Sequence, residues 1–66
     1  MTLIVNGEKM EFESGKNIDE ILAILGVEAK IFAVVLNANL IKKEHYKSTI
    51  PRDGDKIEML QFMGGG

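Results

Sequence analysis

The chain has 66 residues, a net charge of −2 and no cysteine. A domain of this size buries only about 60% of the surface its unfolded chain exposes, which leaves room for one sheet, one or two helices and one core, and argues against a deep pocket with its own catalytic apparatus. The missing cysteine excludes disulfide staples, a thiolate metal site and a nucleophilic thiol, and fits a reducing, cytoplasmic setting.

The opening Met1–Asn6 lacks the basic segment and long apolar run of a signal peptide, and no later stretch approaches the roughly 20 apolar residues that span a bilayer. No membrane association is therefore expected. Thr2 to Val5 is apolar and β-branched, as a strand should be. Asn6-Gly7 favours a two-residue hairpin turn because both residues tolerate positive φ. Lys9 to Phe12 alternates polar and apolar, so the chain opens with a β-hairpin.

After the loop Ser14-Gly15-Lys16, Asn17 is suited to cap a helix, and Glu20 stands three places on, as in a capping box. Ile18, Ile21, Leu22 and Leu25 follow the i, i+3, i+4, i+7 pattern of one buried face. Gly26 can take the left-handed conformation that ends a helix. The spacing predicts a helix over Asn17 to Leu25. Ile31 to Leu36 is a continuous apolar run, suited to a strand covered on both sides.

Asn37-Ala38-Asn39 reads as a turn and Leu40-Ile41 as a brief extended segment. Lys42 to Ser48 is polar and suits a short helical turn. Within it Lys42, Lys43 and Lys47 are interrupted by Glu44, which makes a solvated face rather than the basic stripe of a nucleic-acid binder. Pro51 to Asp55 is a loop signal. Lys56 to Phe62 alternates again, with Ile57, Met59 and Gln61 on one face and Glu58, Leu60 and Phe62 on the other.

The order is strand, strand, helix, strand, short strand, strand. One helix across a mixed sheet of four to five strands buries both apolar faces in one core, which is the α+β architecture of the ubiquitin-like β-grasp. The expected organisation is a β-grasp domain over residues 1–63 and a flexible glycine tail over residues 64–66, because three glycines bury almost nothing to offset their ordering entropy. The tail invites two readings, an idle chain end or a functional terminus.

Several segments together resemble the ThiS family of small sulfur carriers of thiamin biosynthesis. Phe32 to Asn37 is similar to the family's central strand and following Asn. Ile41 to Tyr46 is similar to its basic segment ending in an aromatic, Asp53 to Glu58 to its last turn and strand entry, and Phe62-Met63-Gly64-Gly65-Gly66 to its terminus. The resemblance covers essentially the whole chain. Ala38 stands where members often have Gly, Tyr46 where many have Trp, and Leu36 at a place that is often acidic. The double-glycine end alone is shared with other β-grasp sulfur carriers and with ubiquitin-like modifiers.

The resemblance implies a carrier with no active site and no permanently bound cofactor. It implies that an E1-like adenylating enzyme of the ThiF type uses ATP to convert Gly66 to an acyl-adenylate. Sulfur from a donor such as a cysteine desulfurase then displaces AMP, and the resulting thiocarboxylate gives its sulfur to a thiazole synthase of the ThiG type. A terminal carboxylate is ionised at neutral pH and resists attack until one oxygen becomes a leaving group, so the activating step is chemically required. Gly64 and Gly65 lack Cβ atoms and can thread a narrow channel. Met63 to Gly66, extended, reaches roughly 13 Å.

Leu60, Phe62 and Met63 are candidate docking residues, because an exposed apolar patch beside a reacting end makes a contact surface. For Leu60 cover by a loop is the equal alternative. His45, the single histidine, lacks the neighbours of a metal or general-base site. Asp53 and Asp55 lack the further oxygen ligands of a calcium loop and read as turn residues. Two other functions share these features: a carrier serving molybdopterin or tRNA thiolation, and a protein modifier joined through Gly66 to a lysine. A third is a non-covalent interaction subunit with an idle tail.

Overall fold

The computed structural model describes residues 1–27 and 29–61. Strands β1 (Thr2–Val5) and β2 (Glu8–Glu11) form the opening hairpin, in register from Thr2 opposite Glu11 to Val5 opposite Glu8. Asn6 and Gly7 have φ of 49° and 85°, the left-handed pair that a type I′ turn demands. A two-residue turn fixes the register, so β2 begins at Glu8, one residue before the expected Lys9. Phe12 lies just past the strand, half-buried against the core, and its amide donates to the Met1 carbonyl at 2.9 Å.

Helix α1 covers Ile18–Leu25, with Asn17 as its N-cap. The capping box is complete: the Glu20 amide donates to Asn17 Oδ1 at 2.8 Å, and the Asn17 amide donates to Glu20 Oε1 at 3.0 Å. Gly26 ends the helix at φ 69°. Its amide donates to the Ala23 carbonyl, and that of Val27 to the Leu22 carbonyl, which satisfies acceptors the helix leaves open.

Strands β3 (Ile31–Leu36), β4 (Asn39–Ile41) and β5 (Lys56–Gln61) complete a five-stranded sheet ordered β2-β1-β5-β3-β4. β5 runs parallel to β1 and antiparallel to β3. The mixed sheet with one main helix is the expected β-grasp. A 3-10 helix, Lys43–Ser48, occupies the polar segment before the last loop.

The core gathers Leu3 and Val5 from β1, Ile18, Ile21 and Leu22 from α1, Ile31 and Val34 from β3, and Ile57 and Met59 from β5. Tyr46 joins them from the 3-10 helix, where burial, and then the negative charge of Asp19, push its phenol pKa up. β3 departs from the double cover that its apolar run suggests. Ile31 and Val34 are buried, whereas Ala33 and Val35 are only half-buried. A single helical layer covers one face of the sheet, and the residues beside Ala33 and Val35 on the other face are exposed.

Candidate functional site: the last strand and the outer sheet face

β5 alternates strictly until its final residue. Ile57 and Met59 enter the core, while Lys56, Glu58 and Leu60 stand on the outer face. Leu60 is 43% exposed, so among the described residues no loop covers it. It sits opposite Ala33, and Val35 sits opposite both Glu58 and Leu40. Leu40 is 67% exposed. Leu60, Ala33, Val35 and Leu40 thus form an apolar strip across three adjacent strands, with Lys56 and Glu58 exposed beside it.

The strip was only half legible from sequence. Leu60 shows itself by alternation within its own strand. Val35 and Leu40 become candidates only once the pairing of β3 with β4 and β5 is known. Phe62, Met63, Gly64, Gly65 and Gly66, the remaining predicted site residues, lie outside the described residues.

Two asparagines, one in each hairpin turn, hold β5 at its first residue and at Met59. Asn37, at φ 48°, accepts the Lys56 amide on Oδ1 at 3.0 Å and donates through Nδ2 to Asp55 Oδ1 at 3.0 Å. Asn6 accepts the Met59 amide on Oδ1 at 2.8 Å. Sequence reading assigns both to turns, which they form. Their second role depends on β5 lying beside them, and no local pattern announces that.

Asp53 and Asp55 serve the loop before β5. Asp53 Oδ1 accepts the Thr2 amide at 2.6 Å, and Asp55 Oδ2 accepts the Arg52 amide at 2.8 Å. The Arg52 amide, and then the Asn37 side chain, hold the Asp55 carboxyl below its usual range. Asp55 closes its own turn, as expected, whereas Asp53 ties the loop to the start of β1. His45 is exposed on the 3-10 helix. Among the described residues there is no group of three or more metal-ligating side chains, and no helix is long and apolar enough to cross a membrane.

The described residues thus present a last strand bonded to two asparagine side chains and an apolar strip on the outer sheet face. The ThiS family model matches residues 3–66, through the terminal glycine. The chain belongs to the ThiS family. The sulfur carrier protein ThiS of Thermus thermophilus is 39% identical over 62 residues, covering 94% of this chain and 95% of the relative. The crystal structure of the thiamine biosynthesis protein ThiS from Geobacter metallireducens superposes with a TM-score of 0.78 at 35% identity, covering all of both chains.

A different kind of ThiS relative is a thiazole synthase of Paramagnetospirillum magneticum, 36% identical over 66 residues. The whole chain matches there, but it spans only 20% of that protein's length. A ThiS-like segment is thus part of a longer chain named for thiazole synthesis.

Proposed function

We propose that the chain is a sulfur carrier of thiamin biosynthesis whose reacting group is the Gly66 carboxylate. The observation that carries this reading is the family match over residues 3–66, which includes the Phe62-to-Gly66 terminus. ThiS relatives of nearly the same length are named carriers, in keeping with a protein that is acted upon.

In the proposed cycle an E1-like enzyme brings ATP to the terminus. A Gly66 carboxylate oxygen attacks the α-phosphorus, and pyrophosphate leaves. A persulfide sulfur on a donor protein then attacks the carbonyl carbon and AMP leaves, and a thiol cleaves the acyl disulfide so formed, giving the thiocarboxylate and a new disulfide. The resulting thiocarboxylate is a soft nucleophile that delivers sulfur to a thiazole synthase. The thiazole synthase relatives support that acceptor over a molybdopterin or tRNA pathway, because they contain a segment similar to this entire chain.

The body has two tasks in this scheme. The outer strip of Leu60, Val35 and Leu40 docks on the partners, and Phe62 and Met63 are further docking residues in this reading. The tail then carries the reacting carbon into their active sites. Five residues follow Gln61, enough to reach at most about 17 Å when extended.

Deleting Gly66 tests the proposal. The new terminus is still a glycine carboxylate, but it is withdrawn by roughly 3.3–3.6 Å. Misplacement of about 1 Å can cost on the order of a hundredfold where rate depends on positioning. The shortened protein should fold normally, support almost no ATP–pyrophosphate exchange with its activating enzyme, and gain no sulfur by intact mass. Normal exchange and sulfur loading would show that Gly66 is not the reacting end.

A further inference from the structure

Asn6 stands where the sheet's parallel pairing runs out. β1 and β5 pair only at Ile4 with Lys56 and Val5 with Ile57. The Ile4 amide donates to the Asp55 carbonyl at 2.9 Å, and the Asn6 amide to the Ile57 carbonyl at 2.8 Å. One more rung of a parallel ladder would require the Asn6 carbonyl to accept from the Met59 amide. The chain cannot supply it, because at Asn6 φ turns to 49° and the backbone leaves for β2. The Asn6 side chain replaces the lost carbonyl, and its Oδ1 takes the part-buried Met59 amide at 2.8 Å.

Two requirements meet in this one residue. The turn needs a residue that tolerates positive φ, which Gly, Asn and Asp all meet. The last rung needs a short side chain ending in an acceptor oxygen, which Gly lacks. Met59 is two residues before Gln61, where β5 ends, so this bond is made close to the point from which the tail sets out. Its flank is otherwise open. Shallow depressions of about 440 Å³ and 230 Å³ adjoin Asn6, the first on the outer side with Ile4 and Lys56, the second on the core side with Met10 and Leu25. Among the described residues, no neighbouring strand on that flank takes over the Met59 amide.

We propose that Asn6 is a positioning residue for the reaction at the chain end, acting through the Met59 amide to fix the direction in which β5 delivers the tail to the activating enzyme. The inference rests on the carrier reading. The proposed effect of Asn6 passes through the backbone of β5. If the bond is lost, the last rung opens more often and the exit of the strand is less defined. The outer strip that docks the protein remains in place, because Val35 and Leu60 are held by β3 and β5 on the other flank. Loss of the acceptor should therefore lower turnover more than recognition.

The test compares Asn6→Gly with Asn6→Asp. Gly keeps the turn geometry and removes the acceptor, and Asp restores an acceptor oxygen. In Asn6→Gly, hydrogen exchange at the Met59 amide should accelerate about fivefold or more while thermal unfolding stays cooperative. In ATP–pyrophosphate exchange kcat should fall about tenfold, with KM for the carrier changed less than about twofold. Asn6→Asp should recover most of kcat. An ester replacing the amide at Met59, made by chemical synthesis, removes the donor instead and should reproduce the Gly result.

An unchanged kcat in Asn6→Gly would overturn the proposal, as would an Asp variant no better than Gly. A Gly variant that fails to fold would also overturn it, since Asn6 would then be a determinant of the fold itself. The carrier reading is judged separately by deletion of Gly66 in the same assay. Loss of exchange there beside a normal Asn6→Gly leaves the carrier standing and removes only the role of Asn6.

Discussion

Met59 and Leu60 are consecutive residues on opposite faces of one strand, and truncating each to alanine separates packing from docking. Met59 is 6% exposed in the core, and Leu60 is 43% exposed on the outer strip. Removing a buried Met costs about 2–5 kcal/mol through lost transfer energy and the cavity left behind. A domain of this length has about 3–10 kcal/mol of total stability, so Met59→Ala removes a large part of it. At about 4–8 °C per kcal/mol for a domain this small, the melting temperature should fall by roughly 10 °C or more. Leu60→Ala creates no cavity and should stay within about 0.5 kcal/mol of the parent.

Partner binding should rank the two variants the other way. Complete burial of a leucine side chain is worth about 1.5–3 kcal/mol. The share of Leu60 still open to a partner is then worth about 1 kcal/mol, or roughly fivefold in Kd. Leu60→Ala should weaken binding to the activating enzyme by about that factor, measured by titration calorimetry at a temperature where both variants are folded. Met59→Ala should bind nearly as the parent does under those conditions. Comparable losses of thermal stability would mean that Leu60 is packed, and an unchanged Kd for Leu60→Ala would remove it from the docking surface.

Three further outcomes follow from the local geometry. Gly26→Ala should cost about 1–2 kcal/mol in urea unfolding from the left-handed backbone alone, because an added Cβ there meets nothing within 4 Å; no loss would mean that the helix ends differently. Asn17→Ala removes one half of the capping box and should cost about 1 kcal/mol in the same measurement. The lowered pKa of Asp55 contributes stability that is present above the unfolded carboxylate value of about 3.9 and lost as pH falls through the depressed folded value, so Asp55→Asn should flatten the acid limb of the stability profile between about pH 2 and 5.

Local signals placed most of the architecture because most of its elements are locally determined. The I′ turn at Asn6-Gly7, the capping box at Asn17 and Glu20, and the stop at Gly26 are each written within a few residues. They set β1 and α1 almost to the residue. β3 also appears at its expected bounds, but its degree of burial does not follow from its own composition. Whether Ala33 and Val35 are covered depends on what lies beyond the sheet, which a strand's sequence does not record. Tyr46 illustrates the same limit: it sits in a polar, basic segment, and its burial depends on the 3-10 helix closing over the core.

The site divides along the same line. Leu60 could be placed outward because alternation within β5 is strict, whereas Leu40 and Val35 join it only through pairing. The side-chain roles of Asn6 and Asn37 are less legible still. In each, turn chemistry fully accounts for the residue at the sequence level, so nothing prompts a search for a second function.

That β5 receives side-chain acceptors along its length has a consequence for the carrier cycle proposed above. In that proposed cycle the partners find the reacting carbon in two steps, docking on the body and accepting the tail. The apolar strip contributes to the first step, and its loss should raise Kd or KM. The geometry of the strand's exit contributes to the second, and its loss should lower kcat. On the same proposal the glycine reach determines whether any reaction occurs. A substitution in the outer strip, one at Asn6 and the deletion of Gly66 should therefore give three distinct kinetic signatures from one folded body. If all three instead raised KM alone, recognition and delivery would be a single event, and the fixed end of β5 would have no separate part in the reaction.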